Sequence, residues 1–361
     1  MSTLPEQDLL HILENTAPTV WNALAGSQVF ITGGTGFVGR WLVESLLYAN
    51  HKLALEISPT VLTRNGSHYL LDFPETASRI NVCEGNIRDF RFPSGEFPFI
   101  IHAAVEQSPK PADALLVNLE GTRRVLEFAR HAATQRFLYT SSGAVYGTQP
   151  VNLSHLTEQC AGSSASYDPT TAYGQAKRAS EFLCAAYLHQ YGFAATIARL
   201  FAFSGPGLPL DRNFAAGNFV ADALADRPIS IQSDGTSVRS YLYAADMAVW
   251  LLTILVNGEP ARPYNVGSNQ AVSIAELAQA VSRASGEDVP IQIACHTVHG
   301  QLPQRYVPSV ERAQMELGLR QLVSLEDGLQ RMFCFERERA ERALQKLLQP
   351  TDLKHTELVR G

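Results

Sequence analysis

Residues 31–39 read Ile-Thr-Gly-Gly-Thr-Gly-Phe-Val-Gly, and this stretch decides the fold. The run QVFIT at 28–32 precedes it with the apolar texture of a short buried strand, and a helical pattern over 39–49 follows it. Between a strand and a helix, glycine at Gly33 and Gly36 permits a tight turn and lets the backbone approach a pyrophosphate. Gly39 lets the helix sit close on the strand. An anion there caps the free N–H groups of the first helical turn, which holds Phe37 and Val38, and is favoured by the helix dipole. The expectation is a dinucleotide-binding turn.

Outward from this turn, apolar runs alternate with helical patterns. The runs at 60–64 (TVLTR), 80–84, 99–103 (FIIHA), 136–141 (RFLYTS) and 194–200 (AATIARL) read as further strands, with helices over 115–131 and 173–191. Near-continuous apolar strands separated by helices predict an α/β fold, a Rossmann-type doubly wound parallel sheet covered on both faces. Upstream, Leu9, Leu10, Ile12, Leu13, Val20, Trp21 and Leu24 fall at helical spacing with Pro18 interrupting. Residues 1–25 are therefore expected as a helical extension on the outside of a dinucleotide domain over 26–204. Past it, Gly205, Pro206, Gly207 and Pro209 break the pattern, and short elements follow. They predict a smaller C-terminal substrate lobe over 205–335, with a soft boundary, since 241–255 is also compatible with a return to the sheet. Residues 336–361 read as a charged helix and polar tail, with 337–342 (RERAER) a solvated face.

Composition excludes several classes of function. The 361 residues are 45% hydrophobic and 18% charged, an ordinary globular balance. A net charge of −6 gives no overall attraction to nucleic acid or anionic lipid. No apolar run approaches the ~20 residues of a spanning helix, and the first 18 residues lack a signal-peptide pattern, so a cytoplasmic protein is expected. Five scattered cysteines form no CxxC pair, and no HxH or HExxH pattern occurs; neither a disulfide framework nor a metal site is expected. His102 is expected to be a packed strand-end residue. Glu158 and Asp168 read as solvated loop acids, with substrate contact the lesser reading.

The cofactor reading turns on the second strand, which ends Leu62-Thr-Arg-Asn65. A carboxylate there binds the ribose hydroxyls of NAD and repels a 2′-phosphate; this chain has none. Arg64 offers a fork of N–H donors to a 2′-phosphate, so NADP is favoured over NAD. If Arg64 is a surface charge, Thr63 or Asn65 would bond the ribose of NAD instead. Asn86 and Ile87 are expected near the adenine. Ala103 and Ala104 are small residues where a cofactor passes close.

Tyr173 and Lys177 stand four apart at the start of a helix, on one face. An ammonium beside a phenol favours the phenolate and makes a tyrosine able to pass a proton near neutral pH. Ser142 closes the fifth strand run with a hydroxyl that can bond the reacting oxygen.

ITGGTGFVG, HAA at 102–104, NLEGT at 118–122, SSGAVYG at 141–147 and YGQAK at 173–177 together resemble the extended short-chain dehydrogenases. More narrowly, the chain is similar to the nucleotide-sugar epimerase/dehydratase family over about 26–330. The stretches 233–248 and 264–268 resemble that family's substrate-lobe motifs. The resemblance implies hydride transfer between a nicotinamide and a sugar carbon, usually C4. It implies Tyr173, Lys177 and Ser142 as the catalytic set, Lys177 also on the cofactor, and Ser142 also on the substrate. It implies Arg239 on the substrate diphosphate, with Arg305 as a weak substitute for a missing phosphate motif. It further implies a homodimer built on the helices at 115–131 and 173–191.

Departures narrow the activity. The family's 4,6-dehydratases place an Asp-Glu pair where Gly143 and Ala144 stand, and its decarboxylases keep a Glu where Ala144 stands. The expected activity is therefore a 4-ketoreductase or 4-epimerase acting on a nucleotide sugar. A dehydratase, a decarboxylase or a non-catalytic scaffold are the alternatives. Ala202, Ser204 and Ser240 stand where the family more often has Asn, Tyr and Asp, which makes the sugar pocket atypical.

Overall fold

The computed structural model describes residues 4–67, 74–106, 108–162, 165–211, 214–295 and 302–348. Its strands are β1 Gln28–Thr32, β2 Ser58–Thr63, β3 Asn81–Glu84, β4 Phe99–His102, β5 Arg136–Ser142, β6 Ala194–Leu200, β7 Ala202–Ser204, β8 Ile229–Ile231, β9 Val238–Arg239, β10 Tyr241–Tyr243, β11 Pro263–Val266, β12 Val272–Ser273 and β13 Ile291–Ile293. Seven of them form one parallel sheet in the order β11-β6-β5-β4-β1-β2-β3.

The strands read as unbroken apolar runs because both faces are covered. Successive side chains of β1 enter opposite cores. Val29 and Ile31 join Ile101, Leu138 and Ala198 on one face. Phe30 joins Leu62, Ile100 and Phe137 on the other, inside an aromatic cluster with Phe90, Phe97 and Phe128. The strand order reverses direction between β1 and β4. That crevice, at the carboxyl edge, is where open α/β sheets bind ligands.

The structure moves part of the expected lobe into the sheet. Residues 244–257 form a helix that is buried almost throughout, and β11 pairs with β6. The physical reason lies in the sequence AADMAVWLLTILVN: a helix apolar all round is stable only when surrounded. What is left outside is a lobe core of Leu208, Phe219, Val220, Ile229, Leu277, Val281 and Leu329 among others, drawn from the helices Ala215–Leu224 and Ile274–Ser285, β8 and the start of the helix Leu325–Leu348.

The N-terminal extension is two helices, Glu6–Asn15 and Pro18–Leu24, broken at Pro18. Leu9, Ile12, Val20, Trp21 and Leu24 are buried in the same core as the helix Ala244–Asn257. Asp8 is fully buried and accepts from the Tyr243 hydroxyl at 2.7 Å and from Arg331 at 2.9 Å. His11 meets Asp246 at 2.8 Å, and Asp246 also accepts from the backbone N–H groups of Leu322 and Val323. The residues past Leu348 in the expected tail lie outside the described residues.

Candidate active site

The glycine turn joins β1 to the helix Phe37–Leu53. Gly33 has φ +71°, and a Cβ on it would lie 2.6 Å from the Ala104 nitrogen and 2.8 Å from the Ala103 oxygen. A Cβ on Gly39 would lie 2.2 Å from the Gly33 oxygen. Both glycines are therefore demanded by backbone packing. Gly36 is different, since its Cβ would approach only the Gly33 oxygen, at 3.3 Å. No side chain caps this helix. An open glycine beside uncapped N–H groups fits a pyrophosphate. Phe37 and Val38 form the first turn, as expected. The facing loop is locked: Ala104 N–H donates to Thr32 Oγ1 at 3.1 Å, and Asn118 exchanges hydrogen bonds with the Glu106 backbone at 2.9 and 3.1 Å.

Farther along the same edge, Asn86 is exposed after β3, while Ile87 would touch a Cβ on Gly121 at 3.0 Å. Arg64 follows β2, is 75% exposed, and lies 3.3 Å from the Glu106 carboxylate. His102 is packed, with Thr32 and Thr122 hydroxyls at 2.7 and 3.1 Å from its ring nitrogens. Burial lowers its pKa to about 3, so it stays neutral.

The three residues expected to be catalytic come together at the end of β5. Ser142 caps the short turn Gly143–Tyr146 by accepting from Ala144 N–H at 3.1 Å. Tyr173 and Lys177 occupy the start of the helix Ala172–Tyr191. A Cβ on Gly174 would lie 2.6 Å from the Ala144 oxygen, so glycine lets this helix close on the turn. Tyr173 lies near Ser142, whose hydroxyl favours the ionised phenol. Lys177 is buried and donates to the Thr140 carbonyl at 2.7 Å.

The electrostatics differ from the sequence expectation. Burial lowers Lys177 to about 8, opposed by the Glu181 carboxylate. Burial also raises Tyr173 above its ordinary value, opposed by the Ser142 hydrogen bond. Lys177 sits 5.8 Å from the Tyr173 ring centre and spends its short hydrogen bond on Thr140, so burial outweighs the ammonium at the phenol.

Sequence reading missed two residues. Glu181 stands four after Lys177. It accepts from Ser141 Oγ at 2.5 Å and takes Arg199 in a fork at 2.9 and 2.7 Å. The continued i,i+4 spacing was the available signal. The second is Tyr306, whose hydroxyl would lie 2.3 Å from a Cβ on Gly143, the residue after Ser142, and whose ring lies on Phe201 at 4.6 Å.

On the substrate side, Arg239 bonds the carbonyls of Val238 and Gln304 at 2.9 and 3.3 Å. Arg305 reaches the Ser154 carbonyl at 3.4 Å, and its Nε is buried without a partner. The Glu158 side chain is not solvated: it is buried and accepts from Asn265 N–H at 2.9 Å. Asp168 caps the turn Pro169–Thr171 through Thr170. Among the described residues, no His, Cys, Asp and Glu side chains group in a way that would hold a metal ion, and no helix is long and apolar enough to cross a membrane.

A family model, the NAD dependent epimerase/dehydratase family, matches residues 29–267. The chain belongs to this family. Among curated members it is 30% identical over 307 residues to UDP-glucuronic acid decarboxylase 6 of Arabidopsis thaliana, covering 84% of this chain and 86% of that one. It is 28% identical to UDP-glucuronic acid decarboxylase 1 of Xenopus tropicalis, covering 87% and 73%. Among solved members, the UDP-glucose 4-epimerase of Thermus thermophilus, in complex with NAD, superposes with a TM-score of 0.70 at 25% identity, over 86% of this chain and 99% of that one. The UDP-glucose 4-epimerase of Thermotoga maritima superposes with a TM-score of 0.74 at 21% identity, over 87% and 99%, and speaks for the fold alone.

Proposed function

We propose that this family member oxidises a UDP-hexuronate at C4, allows the C6 carboxylate to leave as carbon dioxide, and reduces C4 again. The observation that carries the C4 step is Tyr173 gathered with Ser142 at the start of the helix Ala172–Tyr191, one turn before buried Lys177. The curated decarboxylases support the hexuronate and the loss of its carboxylate. They outweigh the ketoreductase and epimerase readings drawn from the sequence.

The chemistry NAD supplies when bound is acceptance of a hydride at C4 and its return. Gly33, Gly36, Gly39 and the first turn at Phe37 and Val38 would hold its pyrophosphate; Asn86, Ile87, Ala103 and Ala104 line the same edge. We read NAD rather than NADP as the cofactor. Arg64, read from the sequence as the 2′-phosphate ligand, already faces the Glu106 carboxylate, which would repel that phosphate, and the Thermus relative binds NAD. Tyr173, ionised once a cationic nicotinamide would offset its burial, takes the C4 hydroxyl proton, and Ser142 orients that hydroxyl. The C6 carboxylate is then β to a ketone. The C5–C6 bond breaks with its electrons moving toward the carbonyl, so carbon dioxide leaves without a base, and C5 then takes a proton that restores the C4 ketone. Tyr173 returns its proton to the C4 oxygen at reduction. Arg239 would hold the diphosphate, with Arg305 flanking it.

A second reading, 4-epimerisation, is favoured by Gly143 and Ala144, which carry no acid. The test is product analysis by NMR with UDP-glucuronic acid and UDP-glucose, each with NAD. Carbon dioxide and a UDP-pentose are expected from the first. Inversion of UDP-glucose at C4, with UDP-glucuronic acid untouched, makes the epimerase reading correct and ours wrong.

A further inference from the structure

We propose that Tyr306 is a catalytic residue: it fills the space of the missing side chain at Gly143 and supplies the acid that positions 143 and 144 lack. The proposal rests on the decarboxylase reading above. A Cβ on Gly143 would lie 2.3 Å from the Tyr306 hydroxyl and 2.8 Å from its Cζ. Glycine at 143 is therefore required by this phenol. The ring is held firmly. It lies on Phe201, its N–H donates to the Val238 carbonyl at 3.0 Å, and the next residue donates to Gln149 at 3.0 Å.

Ser142 stands between two phenols. It accepts from Ala144 N–H, and both phenols act on its hydroxyl. The Tyr306 hydroxyl lies where a Cβ on Gly143, the next residue, would stand. Tyr173 serves the oxygen on C4. A phenol set beside the same serine, over the position where relatives carry an acid, reaches the neighbouring ring carbon. Burial keeps the Tyr306 phenol protonated, as an acid requires.

The step balances as follows. The C5–C6 bond breaks, carbon dioxide departs, and the electron pair is held as an enolate over C5, C4 and the C4 oxygen. The Tyr306 O–H bond breaks and its proton forms the new C5–H bond. Solvent returns one proton to the phenolate, which matches the one proton the whole decarboxylation consumes.

The test uses full-length enzyme with NAD and UDP-glucuronic acid in deuterium oxide. Wild type is expected to release carbon dioxide and place one deuterium at C5 in a single configuration. Tyr306→Phe keeps the ring on Phe201. Its steady-state release of carbon dioxide is expected to be about 100-fold slower or worse, the loss typical of a removed general acid, because each enolate must wait for a proton from solvent. The first turnover should still release one equivalent of carbon dioxide, and deuterium should enter C5 in both configurations. Gly143→Ala, which keeps the phenol but displaces it, should behave alike. Carbon dioxide release by Tyr306→Phe within threefold of wild type, with the same C5 configuration, overturns the role of Tyr306 alone. No carbon dioxide from wild type overturns the decarboxylase reading and this proposal with it.

Discussion

At the residue scale the site is set by a competition between burial and neighbouring charge. Lys177 illustrates it. Burial favours the neutral amine, so between about pH 8 and 10.5 the folded chain holds fewer protons at this site than the unfolded chain. Charged Lys177 therefore costs stability below that window, and the cost fades as pH rises through it. Lys177→Met should be at least as stable as wild type at pH 7 and should lack the wild-type gain in that window. Thermal melts at pH 7, 8.5 and 10 test this; a large loss of stability at pH 7 contradicts it. The wild-type rate should show an alkaline limb nearer pH 8 than 10.5, because the ammonium is lost there. Tyr173→Phe keeps the ring and removes the proton carrier, so NAD should still bind while turnover falls by about 100-fold or more. Calorimetry and rates together check it, and undiminished turnover refutes the mechanism. This set was legible because its residues are neighbours within single motifs. Tyr306 was not, because its contact with Ser142 joins distant segments through side chains alone. Arg64 was legible as a charge, but its Glu106 partner comes from another loop.

At the scale of elements, the glycine turn separates packing from binding. Gly39→Ala drives a methyl into the Gly33 carbonyl at 2.2 Å, inside a helix that cannot shift without leaving its core. Overpacking of this kind costs about 1–3 kcal/mol. Gly36→Ala meets only one atom, at 3.3 Å. It should melt within a few degrees of wild type and still lose NAD affinity. Melting curves with and without NAD distinguish the two variants; equal destabilisation would show that Gly36 also serves packing. The strands around the turn were readable from sequence because parallel strands buried on both faces leave no polar alternation. The helix Ala244–Asn257 was readable as buried, but periodicity does not say which body surrounds it. Its packing on β5 and β6, and the return of the chain as β11 beside β6, attach it to the sheet. Glu158 looked like a solvated acid because its partner, the Asn265 backbone, is remote in the chain.

At the scale of the whole molecule, two features extend beyond the nucleotide fold. The N-terminal helices tie the sheet side to the C-terminal helix through Asp8, which bridges Tyr243 and Arg331. The other feature is apolar surface on the helices Pro111–His131 and Ala172–Tyr191, which pack on each other. Phe182 is 72% exposed, and Leu116 and Tyr191 are each 48% exposed. Exposed apolar side chains on two adjacent helices, one of which carries Tyr173 and Lys177, favour burial against a second copy, the arrangement the family resemblance implies. An interface there would couple assembly to catalysis through this helix. Phe182→Asp places a charge at the most exposed of these positions without touching the site, since burying an unpaired carboxylate is strongly unfavourable. Wild type is expected to run as a dimer by light scattering, and Phe182→Asp as a folded monomer with weaker turnover. A wild-type monomer, or a Phe182→Asp dimer of unchanged affinity, places the interface elsewhere and leaves the Tyr173 helix free of any assembly role.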